Sequence, residues 1–154
     1  MKCSSVFVST FQMTSAETRL YISPTHPYRM QNLSPFFRSI VEQDPMPVVV
    51  CDLTHTIVYM NPAAVEHYGS RGGAGLVGKI IFDCHHPKSS EAIRRVFDWF
   101  SADKGNNCVH TMFLEAQQKD VYMVALRDEE GNLIGYYEKH ESRIRDPEPL
   151  YVLG

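Results

Sequence analysis

Segments with strand character occur in two groups near the ends of the chain, and helical patterns occupy the stretch between them. The first group comprises 46–52 and 56–60, and the second comprises 107–116, 119–127 and 132–140. The segments are rich in β-branched and apolar residues, and short turn-forming stretches separate neighbours within each group. Strands gathered at both ends, with helices between them, predict an α+β domain built on an antiparallel sheet.

Three helices are predicted outside these strands. The first begins at Ser34-Pro35, a capping residue followed by proline, and Asp44-Pro45 ends it. The second begins at Asn61-Pro62 and runs to Gly69. The third covers about 89–102, where apolar residues recur at helical spacing.

The composition is that of an ordinary globular protein. The 154 residues carry a formal net charge of −3 with no basic stripe, so no nucleic-acid partner is expected. No apolar run reaches the roughly 20 residues of a membrane helix. We expect a flexible extension over 1–33, one domain over 34–142 and a tail over 143–154.

Cysteine usage indicates a reducing compartment. Cys3, Cys51, Cys84 and Cys108 form no CxxC pair and no regular spacing, so neither a zinc site nor a disulfide framework is predicted. The apolar residues at the N-terminus are broken by Ser, Thr and Gln, which does not suit a signal peptide. A cytoplasmic location is therefore expected.

Signatures of common enzyme classes are missing from the sequence. It contains no GxSxG, no HExxH and no GxGxxG between a strand and a helix. The glycine-rich stretch 69–75 lacks the GK[ST] ending of a phosphate-binding loop and follows a helix rather than a strand. We predict a binding module and not an enzyme.

Three ordered segments resemble the PAS family. They are DLTHTIVYMNPAAVEHYG at 52–69, LVGKIIFDCHHP at 76–87 and RDEEGNLIGYYEKHE at 127–141. The resemblance implies a five-stranded antiparallel sheet with helices that enclose a pocket against one face. It also implies a ligand, redox or gas sensor that dimerises and signals to a protein partner. More narrowly, DCHHPKS with VYMVALRDEEGNLIGYYE resembles small stand-alone bacterial PAS proteins and the PAS part of hemerythrin-like fusion proteins.

A small ligand in such a pocket would meet thiol, aromatic and imidazole side chains. The predicted ligand-binding residues are Cys51, Tyr59, Phe82, Cys84, His85, Met112, Tyr122 and Tyr136. The period of two along a strand would place Cys108, His110, Met112 and Leu114 on one face. Tyr side chains add aromatic surface with a hydroxyl that can fix a ligand's orientation.

The segment Asp83-Cys84-His85-His86-Pro87 supports an alternative chemistry. Imidazole and thiolate are ligands of haem and of metal ions, so His85 or Cys84 could make the domain a haem- or metal-binding redox or gas sensor. His86-Pro87 instead fits a turn that starts the next helix. A flavin–cysteine adduct is disfavoured, because Cys84 lies six residues after Gly78 and no Asn-Cys-Arg run occurs.

The first predicted helix carries an apolar stripe that a single domain would not fully cover. Phe36, Phe37, Ile40 and Val41 form it, and we predict that they make a homodimer. A further alternative is a protein-interaction domain with a filled core and no ligand. The sequence does not identify the ligand or a cofactor.

Overall fold

The computed structural model describes residues 32–151, so all but the last two residues of the predicted extension 1–33 lie outside the described residues. Five strands form one antiparallel sheet in the order β2-β1-β5-β4-β3. The strands are β1 (Val48–Asp52), β2 (Ile57–Met60), β3 (Cys108–Leu114), β4 (Lys119–Arg127) and β5 (Leu133–Ser142). The predicted α+β class and five-stranded antiparallel sheet are confirmed.

Three α-helices accompany the sheet: α1 (Ser34–Glu42), α2 (Pro62–His67) and α3 (Pro87–Ala102). Short 3₁₀ turns cover Gly69–Arg71, Gly73–Leu76, Ile81–Cys84 and Glu115–Gln117. Helix α3 begins two residues before the predicted start, because the His86 side chain accepts a hydrogen bond from the Lys88 amide and Pro87 suits the first helical position. No helix within residues 32–151 is long and apolar enough to cross a membrane.

The core lies between one face of the sheet and the helical segments. Val49, Cys51, Met123 and Tyr136 come from the strands, and Phe100 of α3 is fully buried against this cluster. Residues of β1, β4 and β5 on this face pair across the sheet, as in the register Cys51–Tyr136 and Met123–Glu138. We call this side the inner face of the sheet.

A β-bulge interrupts β3 and corrects one sequence-based prediction. Val109 pairs with Met123 and Met112 pairs with Val121, with a register shift between His110 and Met112. The extra residue reverses the alternation, since side chains change face at every position of a regular strand. Met112 therefore shares the inner face with Val109, whereas Cys108 and His110 lie on the outer face. The prediction that Cys108, His110, Met112 and Leu114 share one face is wrong.

Candidate functional site

An open groove runs between α3 and the inner face of β3, β4 and β5. Its volume is about 720 Å³, within the size range of small-molecule sites. The lining includes Ala92, Val96 and Trp99 of α3, Met112 and Met123 of the sheet, and the polar side chains His85 and Glu138. Trp99 is 43% exposed and Met112 is 52% exposed, so large apolar surfaces face the opening.

A second, smaller cavity lies deeper in the core. Its volume is about 30 Å³, which is room for only one or two water molecules. Its apolar lining includes Val49, Ile57, Met60, Leu76 and Ile81. His85 and Glu138 line this cavity and the groove, so they stand where the two meet.

Glu138 is the centre of a polar network on β5. The Tyr68 hydroxyl, from the residue after α2, donates to Glu138 Oε1 at 2.7 Å, and His140 Nε2 lies 3.2 Å from the same oxygen. Burial by itself raises the pKa of Glu138, but these two hydrogen bonds and the nearby His140 and His85 outweigh it and hold the pKa below its usual value. Glu138 is therefore a carboxylate at neutral pH.

His140 is almost completely buried, with 2% of its side chain exposed. Its ring packs edge-on against the ring of His67, with 5.2 Å between the centroids. Nδ1 of His140 has no hydrogen-bond partner within residues 32–151. His140 thus holds the Glu138 carboxylate in place where the groove meets the small cavity, which we call the inner end of the groove.

His85 is fixed by a backbone contact. Its Nδ1 lies 2.9 Å from the carbonyl oxygen of Ile81. Because that carbonyl can only accept, Nδ1 carries the proton and the lone pair of neutral His85 is on Nε2. The predicted neighbours Phe82 and Cys84 are partly buried against the core. No group of three or more His, Cys, Asp or Glu side chains suited to a metal ion occurs within residues 32–151.

A second polar chain runs through Cys51, Tyr136 and His55. The Tyr136 hydroxyl lies 3.0 Å from His55 Nδ1, and it also interacts with the Cys51 thiol. Burial raises the pKa of Cys51 to about 12, which leaves its thiol protonated. The His55 ring contacts Phe82 and Phe97, with 4.6 Å between centroids in both pairs. These side chains fill the core beside the groove and do not line it.

Two of the predicted ligand-binding residues lie on the opposite face of the sheet. Tyr59 pairs with Val50, whose neighbours in β1 point into the core, so Tyr59 lies outside it, near Glu42 of α1. Tyr122 pairs with Lys139, and Arg143 donates to its hydroxyl at 3.1 Å. The structure brings only Cys84, His85 and Met112 of the predicted set to the linings of the two cavities.

Several residues of the site were not predicted from the sequence. Tyr68, Trp99, Glu138 and His140 were not proposed for it. A signal was present in β5, where Tyr136, Glu138 and His140 alternate and therefore share the inner face. Two ionisable residues at core-facing positions of one strand are uncommon and indicate a built polar network.

Comparison with known proteins agrees with this architecture. Residues 36–104 match the PAS domain family. The domain has the PAS fold. The match ends at the loop after α3, and the remaining strands complete the PAS fold. The PAS resemblance inferred from the sequence is confirmed, whereas the narrower likeness to stand-alone and hemerythrin-fused proteins stays a prediction.

Solved structures share the fold at low sequence identity. The PAS domain of a Colwellia psychrerythraea protein aligns over 72% of this chain and 97% of its own, at 16% identity and a TM-score of 0.55. The PAS domain of Bordetella pertussis BvgS covers 73% of this chain and 87% of its own, at 19% identity and a TM-score of 0.52. A C-terminal domain from Streptococcus mutans covers 69% of this chain and 81% of its own, at 22% identity and a TM-score of 0.56. No curated protein sequence matches the chain.

Proposed function

We propose that this PAS domain is a sensory module that binds a small molecule in the groove between α3 and the inner face of the sheet. The open groove of about 720 Å³ carries this proposal, because the smaller cavity of about 30 Å³ has too little room for an organic ligand. Apolar walls with a few polar groups at one end are typical of small-molecule sites.

Native mass spectrometry of protein purified from its own host tests this proposal. We expect a bound species in the wild-type protein. Ala92→Phe, which fills the groove from α3, is expected to abolish the bound mass. Ala102→Phe is the matched control, since it makes the same change at an exposed position of α3 outside the groove. Retention of the bound species by Ala92→Phe would place the ligand elsewhere.

We also propose that α1 mediates a homodimer. Phe36, Phe37 and Ile40 are 58%, 61% and 67% exposed, and Val41 beside them is partly buried. Association would remove this apolar surface from water. Sedimentation at micromolar concentration should show a dimer for the wild type and a monomer for Phe37→Asp. Ile134→Asp changes an apolar residue of similar exposure elsewhere and is expected to remain dimeric. A monomeric wild type would contradict the proposal.

A haem-binding sensor is the second candidate, and one observation favours it. The Ile81 carbonyl holds the proton of His85 on Nδ1, which leaves Nε2 with a lone pair that would be available to a haem iron, and His85 is a lining residue of the groove. Reconstitution with haem should then give a Soret band that His85→Ala loses and His86→Ala keeps. No haem uptake by the wild type would rule this candidate out.

The remaining features of the proposed function follow from the sequence. The motifs give no support for catalysis, so we propose a binding module that passes its signal to a protein partner. We propose a cytoplasmic location, with neither nucleic acid nor membrane as partner. A ligand-free interaction domain is the outcome to accept if native mass spectrometry finds no bound species.

A further inference from the structure

The carboxylate of Glu138 has one oxygen committed to the protein and one that is not. Both donors, the Tyr68 hydroxyl and His140 Nε2, reach Oε1. Within residues 32–151 no hydrogen bond reaches Oε2, and the side chain, 24% exposed, lines the groove. Glu138 Oε2 is therefore an acceptor at the inner end of the groove, and the hydrogen bonds to Oε1 fix its position.

The carboxyl group of Glu138 is ionised at neutral pH. The hydrogen bonds from His140 and Tyr68 keep the pKa of Glu138 low despite burial. A half-buried carboxylate oxygen without a donor is unfavourable, and a donor supplied by a ligand would make a strong, charge-assisted hydrogen bond. The site thus favours a ligand that carries a positively charged N–H group.

His85 adds a second acceptor at the same place. With its proton directed at Ile81, neutral His85 offers only the lone pair of Nε2. An ammonium group has three N–H donors and can serve both acceptors, whereas a carboxylate or phosphate group has none.

The rest of the groove constrains the body of the ligand. Val96, Met123 and the half-exposed ring of Trp99 supply apolar and aromatic walls. Lys88 and Arg95 also line the groove, on exposed positions of α3. An acidic group on the same ligand could pair with one of these cations.

We propose that the groove selects a small molecule with a protonated amine bound by Glu138 Oε2 and His85 Nε2 and with an apolar or aromatic body against Trp99. This inference rests on the groove being the ligand site proposed above. It adds the chemical class of the ligand, which the fold does not specify.

Ligand-observed NMR with a matched series of probes tests the proposal. The probes are benzylamine, 4-(aminomethyl)benzoic acid, benzyl alcohol and benzoate, which vary the charged groups on one ring. We expect both amines to bind at least tenfold more tightly than benzoate, and quenching or shifting of Trp99 fluorescence to accompany binding, since Trp99 is the chain's one tryptophan.

Glu138→Gln keeps the shape of the side chain and removes its charge. It is expected to weaken benzylamine binding at least tenfold and to leave benzyl alcohol unchanged. Glu141→Gln is the matched control, because Glu141 lies on the same strand and contacts Lys139 rather than the groove. Comparable affinity for benzoate and benzylamine would overturn the amine proposal but keep the groove as a ligand site. A complete lack of binding by all four probes would count against both.

Discussion

Asn61 shows how much one side chain can organise in this fold. Its Oδ1 accepts from the amides of Val48 and Ala64 at 2.9 Å in both cases, which caps α2 and anchors β1. Its amide nitrogen lies 2.9–3.3 Å from three carbonyl oxygens, that of Val41 at the end of α1 and those of Asp44 and Met46 in the loop before β1. The residue is fully buried, and its bonds to the amides of Val48 and Ala64 are shielded from water.

Replacement of Asn61 by Ala is expected to destabilise the domain by about 2–4 kcal/mol, because buried amide and carbonyl groups lose their partners along with a helix cap. Urea unfolding measures the change. Asn61→Asp keeps the Oδ1 acceptor but sets its second carboxyl oxygen against three carbonyl oxygens in a buried site, so its loss of stability should be at least as large as that of Asn61→Ala. A change below about 0.5 kcal/mol for Asn61→Ala would contradict the network described here.

Gly135 marks a close approach between β5 and β1. A Cβ atom at this position would overlap the backbone carbonyl oxygen of Cys51 in the paired strand. Backbone cannot move aside without disturbing the sheet, so Gly135→Ala should lower the melting temperature by several degrees. Gly75→Ala is the control, since a Cβ there meets nothing within 4 Å. Equal melting temperatures for the two variants would contradict a close approach of β5 to β1 at Gly135.

Among individual residues, local sequence patterns predicted those that start helices but not those that form the candidate site. Asn61 and Pro62 were predicted to start a helix from local chemistry alone, and the structure confirms it. The position and the low pKa of the Glu138 carboxylate depend on the hydroxyl of Tyr68, which is 70 positions away in the sequence. The alternation in β5 indicates a polar network on the inner face, but it does not indicate which distant side chain completes the network.

At the scale of elements, Arg127 joins three segments at the end of β4. Its guanidinium donates to the Phe100, Asp103 and Asn106 carbonyl oxygens at 2.7–3.1 Å, just where α3 ends and the chain turns towards β3. It also donates to Asn107 Oδ1 and to the Gly131 carbonyl oxygen. The C-terminus of a helix favours a cation, so charge and geometry act together here.

Arg127→Lys is expected to cost about 2–4 kcal/mol in unfolding free energy, since an ammonium group cannot reproduce the planar fork of donors. Chemical denaturation provides the measurement. Arg95→Lys makes the same substitution at an exposed position of α3 and should change stability by less than about 0.5 kcal/mol. If the two variants behave alike, Arg127 does not tie these elements together.

Element boundaries were predictable where the signals were local. Proline, capping residues and glycine placed the helices to within two or three residues, and β-branched runs gave all five strands. The bulge in β3 was not predictable, because nothing in CVHTMFL distinguishes a regular strand from one with an extra residue at Thr111. That single insertion decides which residues of β3 face the groove.

At the scale of the whole molecule, the fold was accessible from sequence and the ligand was not. The order of strands and helices, together with three motifs, is sufficient for the PAS fold. The ligand depends on the space left between α3 and the sheet, and on the side chains that happen to border it. Both are results of packing, so they follow from the structure and not from the motifs.

Stability of the domain should fall in two steps as the pH is lowered. Burial is the largest cause that lowers the pKa values of His55 and His67 from their usual 6.5, so both are held neutral in the folded state. Below pH 6.5 the unfolded chain binds protons at these positions more readily, and stability decreases with falling pH. Each unit of pKa difference corresponds to about 1.4 kcal/mol.

The second step has contributions from Asp52 and Asp128, whose pKa values are lowered by hydrogen bonds with Thr54 and Asn132, and from Glu138. The pKa of Glu138 is lower in the folded state than its usual 4.5, so its contribution is complete above pH 4.5 and is lost as the pH falls further through the folded-state value. Urea midpoints between pH 8 and pH 3 should therefore lose the upper step in a His55→Gln/His67→Gln variant and show a smaller lower step in Glu138→Gln. His86→Gln, at an exposed position, should retain both steps. A Glu138→Gln protein with an unchanged lower step would show that the carboxylate gains nothing from Tyr68 and His140, and the charged acceptor at the inner end of the groove would lose its basis.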